Sequence, residues 1–164
     1  MNMSLELRPA RREELAFVMQ MYNDARSFDG CAWDDDYPDG DILNDDFLFG
    51  RLYVFVSKNK IIGAISVLFD ENLEEFECWK IQSARSVEFA RVVISKEHVG
   101  QGYGTKMVFE TLELLKQMEY DSVRILVSPS NPSAIAVYKK LGFDFLRVES
   151  FPYGDFWLCE KGLA

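Results

Sequence analysis

One stretch limits the possible folds more than any other. In VEFARVVISKEHVGQGYGTKMVFETLELLKQMEY, residues 87–120, a β-rich run passes through a glycine loop into a helix. Met107, Val108, Leu112, Leu115 and Met118 recur at helical spacing and share one face. Gly100, Gly102 and Gly104 carry no Cβ, so backbone can come close to a ligand there. The first helical N–H groups lack intrahelical partners, and the helix dipole adds partial positive charge at the same end. Strand, glycine loop and helix start together suit a phosphate or pyrophosphate.

Three readings of the loop compete. A P-loop requires G-x-x-x-x-G-K-[ST], a string this chain lacks. A dinucleotide fold requires G-x-G-x-x-G, whereas here the spacing is G-x-G-x-G with Thr105 where the third glycine falls. Asp121 lies near the distance of a ribose-binding acid, so the loop alone leaves this reading open. Its surroundings weigh against it, because the motif sits late, after a hairpin, in a chain without strict strand–helix alternation. The third reading is an ordinary helix start with permissive glycines.

The flanking segments read as follows. LELRPA (5–10) is a short strand, and RREELAFVMQMYNDAR is an amphipathic helix on the spacing of Leu15, Val18, Met19 and Tyr22. SFDGCAWDDDYPDGD is loop, followed by DILNDDFLFG as a short helix with Asp41 at its start. RLYVFVSKNKIIGAISVLFD holds two strands around an SKNK turn, and ENLEEFECWKIQSARS is a polar connection with strand ends. DSVRILVSPS is a strand. NPSAIAVYKKLGF is a helix that begins at Asn131, a strong N-cap type, and stops at Gly142. FDFLRVES and DFWLCEKG are closing strands joined by FPYG.

NPSAIAVYKKLGF also places Asn131, Ala134, Tyr138, Gly142 and Phe143 in an N-x-x-A-x-x-x-Y-x-x-x-G-F pattern downstream of V-x-x-G-x-G. The pair of motifs, and the order of elements over nearly the whole chain, resembles the GNAT acyltransferase superfamily. That resemblance implies an α/β GNAT acyl-CoA N-acyltransferase fold: a mixed central sheet with splayed parallel strands, flanked by helices, in a single domain over residues 1–164. It implies acetyl-CoA as co-substrate, an amine acceptor and no metal. The pantetheine arm is then expected along the backbone of Val92, Val93 and Ile94. The diphosphate is expected at Val99, Gly100, Gln101, Gly102, Tyr103, Gly104 and Thr105, with Asn131 and Ala134 near the arm. The loop departs from the family's [Q/R]-x-x-G-x-[G/A] at Val99, and Gln101 is neutral where many members carry Arg or Lys.

The resemblance makes Tyr138 the general acid, although its helix face with Ala134, Val137 and Leu141 also allows simple packing. Glu88 matches the position of a glutamate base in histone-acetylating members. Its alternatives are an exposed strand-end carboxylate or a partner for Arg91. No nucleophile with a base partner is visible, so direct transfer without an acyl-enzyme is expected.

Substrate choice in the family comes from the first helices, the loop between them and the late strands. From Asp29 to Asp46 that loop holds eight Asp among eighteen residues, with Trp33 and Tyr37 between them. An aromatic, acidic lining suits a cationic amine, while a solvated loop whose aromatics plug the core edge explains the same residues. A W-x-x-x-Y-P arrangement here also looks like a group of bacterial GNAT proteins of mostly unassigned substrate. The formal charge of −9 argues against nucleic-acid partners. No apolar run is long enough for a membrane span, and the first residues have no signal-peptide character, so a cytoplasmic location is expected.

Cys31, Cys78 and Cys159 are an odd, widely spaced set, which disfavours a disulfide framework or zinc site. Cys78 and Cys159 read as buried apolar residues. His98, the only histidine, lies in a charged loop expected to face water. Phe151, Tyr153, Phe156 and Trp157 supply apolar surface for the homodimer common among relatives.

Overall fold

A computed structural model describes residues 4–68, 73, 75–82 and 85–163. In chain order the elements are β1 (Leu5–Pro9), a 3-10 turn (Arg12–Glu14), α1 (Leu15–Ala25), α2 (Gly40–Leu48), β2 (Leu52–Ser57) and β3 (Lys60–Leu68). They continue with β4 (Ser86–Ile94), α3 (Tyr103–Gln117), β5 (Ser122–Val127), α4 (Pro132–Lys140), β6 (Asp144–Phe151) and β7 (Gly154–Gly162). The expected end of the hairpin and part of the polar connection, residues 69–72, 74 and 83–84, lie outside the described residues.

Among the described residues the strands form one mixed sheet in the order β1-β2-β3-β4-β5-β7-β6. All neighbours are antiparallel except β4 and β5, which run parallel. The β2–β3 turn is the expected SKNK hairpin. Lys58 and Asn59 both have positive φ (51° and 63°), as a two-residue turn that follows the strand twist requires.

Each face of the sheet is covered by helices. Val18, Met21, Tyr22 and Ala25 of α1 and Leu43 of α2 pack on Val54, Val56, Ala64 and Val93. On the other face Met107, Val108, Leu112 and Leu115 of α3, with Tyr138 of α4, pack on Phe55, Ile65, Val67, Val87 and Phe89. The strand period of two sends alternate residues to these two layers.

Three local expectations are corrected. Helix α2 begins one residue before Asp41, and Asp39 is its cap, its carboxylate accepting the Ile42 N–H at 2.9 Å. The α1 sequence opens as a 3-10 turn, and its buried stripe runs Val18–Met21–Tyr22–Ala25, with Leu15 and Met19 only half-buried. Helix α3 ends at Gln117, and Glu119 takes φ +67°, so Met118 is 41% exposed rather than on the core face.

Candidate active site

The central feature is the junction of the two parallel strands. Strand β4 has nine residues and β5 has six, yet they pair only at Ser86–Ser122 and Val87–Val123. Past those pairs they diverge. Among the described residues the β4–β5 register goes no further, which leaves the β4 edge beyond Phe89 accessible to an extended ligand.

A bulge sits in the same stretch. Ala64 faces Val93 and Ser66 faces Ala90, so Arg91 and Val92 together stand opposite the single residue Ile65. Arg91 takes φ +52°, a left-handed conformation that a residue with a Cβ rarely adopts. Val92 and Ile94 turn to the α3–α4 layer and Val93 to the α1–α2 layer.

The glycine loop lies at the end of β4. Gly100 and Gly102 have φ +75° and +85°, so backbone conformation requires both glycines. Gly102 is the N-cap of α3, and no side chain caps that end. The amides of Tyr103, Gly104 and Thr105 therefore head the helix without a side-chain acceptor. Gly104 needs neither positive φ nor extra room, since a Cβ there would meet only Ile94 Cγ1 at 3.8 Å. Val99 is 43% exposed, and Gln101 Nε2 donates to the Glu97 carbonyl at 3.1 Å. His98 does not simply face water. Its Nδ1 lies 2.6 Å from the Ser95 hydroxyl, and its ring meets the edge of Tyr103 at 5.7 Å.

Helix α3 is held close to the sheet by Gly63. A Cβ at that position would lie 2.8 Å from Ile94 Cδ1, 2.9 Å from Met107 Sδ and 2.9 Å from the Val93 carbonyl. The glycine loop is thus fixed relative to β3 and β4 by a contact that only a residue without a side chain permits.

Asn131 caps α4, its Oδ1 accepting the Ala134 N–H at 3.1 Å. This sets the helix that carries Tyr138, whose ring is only 7% exposed and lies 5.9 Å from Phe89 of β4 and 5.4 Å from Phe143. Burial pushes the Tyr138 phenol well above its ordinary range. Glu88 is 7% exposed, which corrects the alternative of a solvent-facing strand end. Arg91 makes its ion pair with Asp46.

That ion pair is the main feature that sequence reasoning missed. Asp46 of α2 is 2% exposed and accepts Arg91 Nε at 2.7 Å and Nη2 at 2.8 Å. The Ser66 hydroxyl donates to the same carboxylate at 2.7 Å. Arg91 Nη1 also donates to the Tyr37 hydroxyl at 3.0 Å.

Three of the eight aspartates in the Asp-rich loop are tied into local structure. Asp46 is ion-paired with Arg91, Asp39 caps α2, and Asp34 Oδ1 accepts the Asp36 N–H in a turn. Trp33 turns into the core, its ring 5.5 Å from Tyr22 in an edge contact. Tyr37 stays 38% exposed. Arg26 ties the loop down through the carbonyls of Asp34 (2.6 Å) and Pro38. Gly30, φ +80°, presses against the cap of α4, where a Cβ would lie 2.6 Å from the Ser130 carbonyl. A cleft of about 330 Å³ results where this loop, the β5–α4 connection and the FPYG turn converge, lined by Ala32, Ser128, Ser130, Tyr153, Asp155 and Phe156 among others.

The same architecture recurs in solved structures. A GNAT-family acetyltransferase from Streptococcus agalactiae superposes with a TM-score of 0.83 at 20% identity, covering 98% of both chains. A phosphinothricin acetyltransferase from Sinorhizobium meliloti, in complex with AcCoA, gives 0.75 at 17% identity over 99% of this chain and 90% of its own. A ribosomal-protein-alanine N-acetyltransferase from Brucella melitensis gives 0.71 at 19% identity over 96% and 99%. At these identities the likeness establishes the fold. The family model described as acetyltransferase (GNAT) family matches residues 15–143, from the start of α1 through the splayed strands and glycine loop to Phe143 beside Tyr138, and the chain therefore belongs to that family.

Proposed function

We propose that this chain, as one domain, is an N-acetyltransferase that moves an acetyl group from acetyl-CoA to a primary amine by direct attack. The observation that carries the reading is the divergence of β4 from β5 immediately beside an uncapped helix start with two left-handed glycines. When bound, acetyl-CoA supplies the activated thioester. Open backbone groups at Val92, Val93 and Ile94 would take the peptide-like groups of its arm. The amides of Gly100 to Thr105 would hold its diphosphate, and no metal is needed for that.

The remaining work is proton handling. An alkyl ammonium at pH 7 is roughly 0.1% free base or less, judged from lysine. Glu88, buried at the start of the divergence, is the group we assign to take that proton, directly or through water. Tyr138 keeps its own proton at any physiological pH because burial raises its pKa. It is therefore available as a hydrogen-bond donor to the departing sulfur; because its pKa lies above that of the thiol, it stabilises the developing thiolate and full proton transfer runs uphill. The acceptor amine would enter by the cleft between Ser128, Tyr153 and Phe156. The neighbours named above act on a small molecule in one case and on a ribosomal protein in another, and this chain's amine is of either kind.

The exposed Val99, at a position where relatives carry Gln or Arg, favours a second reading: an acyl-CoA-binding sensor without turnover. Thiol release from acetyl-CoA with a panel of amines separates the two. Turnover that falls at least tenfold in Tyr138→Phe supports the proposal. A full rate in that variant removes the acid role, and a thermal shift with acetyl-CoA but no turnover favours the sensor.

A further inference from the structure

One guanidinium joins three elements on the α1–α2 face of the sheet. The side chain of Arg91 leaves the backbone at the β4 bulge, and its φ of +52° puts that residue in a sterically disfavoured conformation. Two of its nitrogens grip the buried Asp46 carboxylate of α2, which Ser66 of β3 also donates to. Its third nitrogen reaches the Tyr37 hydroxyl in the loop between α1 and α2.

We propose that Arg91 and Asp46 are positioning residues that couple the order of the acceptor loop to the set of the β4 bulge. The guanidinium fork can satisfy Asp46 and Tyr37 together only while the backbone at 91 stays left-handed and the loop stays down. Withdrawal of Tyr37 frees one arm of the fork and loosens its hold on the strained residue. Relaxation at 91 disturbs the bulge and with it the bend and twist of the β4 backbone that follows. The backbone affected, Val92 to Ile94, is the stretch assigned above to the acyl-CoA arm, so the kinetic part of this inference rests on the proposed function. Loop closure over an acceptor and alignment of the acyl donor would then be one event. A lysine at 91 keeps the charge but cannot form the bidentate fork.

Tyr37→Phe is the decisive variant, because it removes one hydroxyl from an exposed ring and leaves the fold intact. Hydrogen–deuterium exchange is read on peptides covering 31–39 and 88–95, alongside steady-state kinetics. Coupling predicts at least threefold faster exchange in both peptides for Tyr37→Phe, and tenfold or more for Arg91→Lys. It also predicts a several-fold higher amine KM together with a lower kcat and a several-fold weaker acetyl-CoA affinity in Tyr37→Phe. Faster exchange confined to 31–39, or no change in either peptide, overturns the coupling. Should the wild-type protein neither bind acetyl-CoA nor release CoA, the proposed function fails, and the exchange data still decide the coupling by themselves.

Discussion

The glycine loop makes a prediction whose sign differs between two neighbouring residues. Gly102 caps α3 with φ +85°, and nothing stands within 4 Å of a Cβ built there. Alanine at 102 meets no clash, so its cost is backbone strain alone, ~1–2 kcal/mol for a left-handed residue with a Cβ. Reduced freedom of the unfolded chain returns ~0.4–1 kcal/mol. The net loss is ~1 kcal/mol, or ~2–4 °C in Tm for a chain of this size. Gly104 lies in the first helical turn with ordinary φ and only Ile94 Cγ1, at 3.8 Å, near a built Cβ. Alanine there gains helix propensity, so Gly104→Ala raises stability by ~0.5 kcal/mol, or ~1–2 °C. Circular dichroism melts of both variants test the pair without ligand. Repeating them with acetyl-CoA tests the site, because a ligand that binds only the native state adds ~2.7 kcal/mol at a hundredfold excess over Kd. Gly102→Ala should lose much of that ligand-dependent gain, and Gly104→Ala should keep it. Two variants that shift Tm in the same direction refute the backbone argument. A Gly102→Ala protein with a wild-type response to acetyl-CoA refutes the amide cradle.

Other outcomes follow from the packing and the charges. Gly63→Ala pushes a methyl into Ile94, Met107 and the Val93 carbonyl, which cannot move aside, and should cost ~1–3 kcal/mol in urea unfolding; an unchanged midpoint would contradict the close approach of α3 to β3. The Glu14 carboxyl is held below its usual value, first by its hydrogen bonds to Arg8 (2.7 and 2.8 Å), so its contribution exists above the unfolded pKa and is lost as pH falls through the lower, folded one. Glu14→Gln should therefore be less stable than wild type by ~0.5–1 kcal/mol at pH 7, with the gap closing below about pH 4; a pH-independent gap refutes the ion pair. Burial pushes the Cys159 thiol up to about 12, so a thiol reagent should titrate Cys31 and Cys78 in the native protein and reach Cys159 only in denaturant.

Local signals in the chain carried most of the element order. SKNK marked its hairpin, Asn131 its cap, and the period of Met107 to Leu115 its buried helix face, because each depends on a few adjacent residues. Contacts between distant positions left no such mark. Arg91 and Asp46 are separated by 45 residues and look like two ordinary surface charges in sequence. Gly30 reads as loop punctuation, whereas its role is to let backbone touch Ser130. Glu160 reads as a charge near the chain's end, yet it is fully buried and accepts the Lys80 and Ile81 amides at 2.8 and 3.4 Å. Periodicity also ran past the true end of α3 at Met118, since an apolar residue at helical spacing does not reveal a left-handed turn beside it.

The position of the strand divergence gives the proposed acid and base a physical reason to meet. Val87 and Phe89 belong to the layer under α3 and α4, so the alternation of β4 turns Glu88 to the opposite face. Tyr138 packs against Phe89 in that first layer. In a continuous sheet the hydrogen-bonded backbone would stand between a group on one face and a group on the other, with packed layers about 10 Å apart. Here pairing with β5 stops at Val87, one residue before Glu88. The gap opens beside Glu88, and the bulge at Arg91 and Val92 follows within four residues. On the function proposed above, a carboxylate above the sheet and a phenol below it would then address a single reacting centre lodged between the strands. A β4–β5 pair zipped to its full length would seal them into separate cores, with both groups reduced to buried polar side chains.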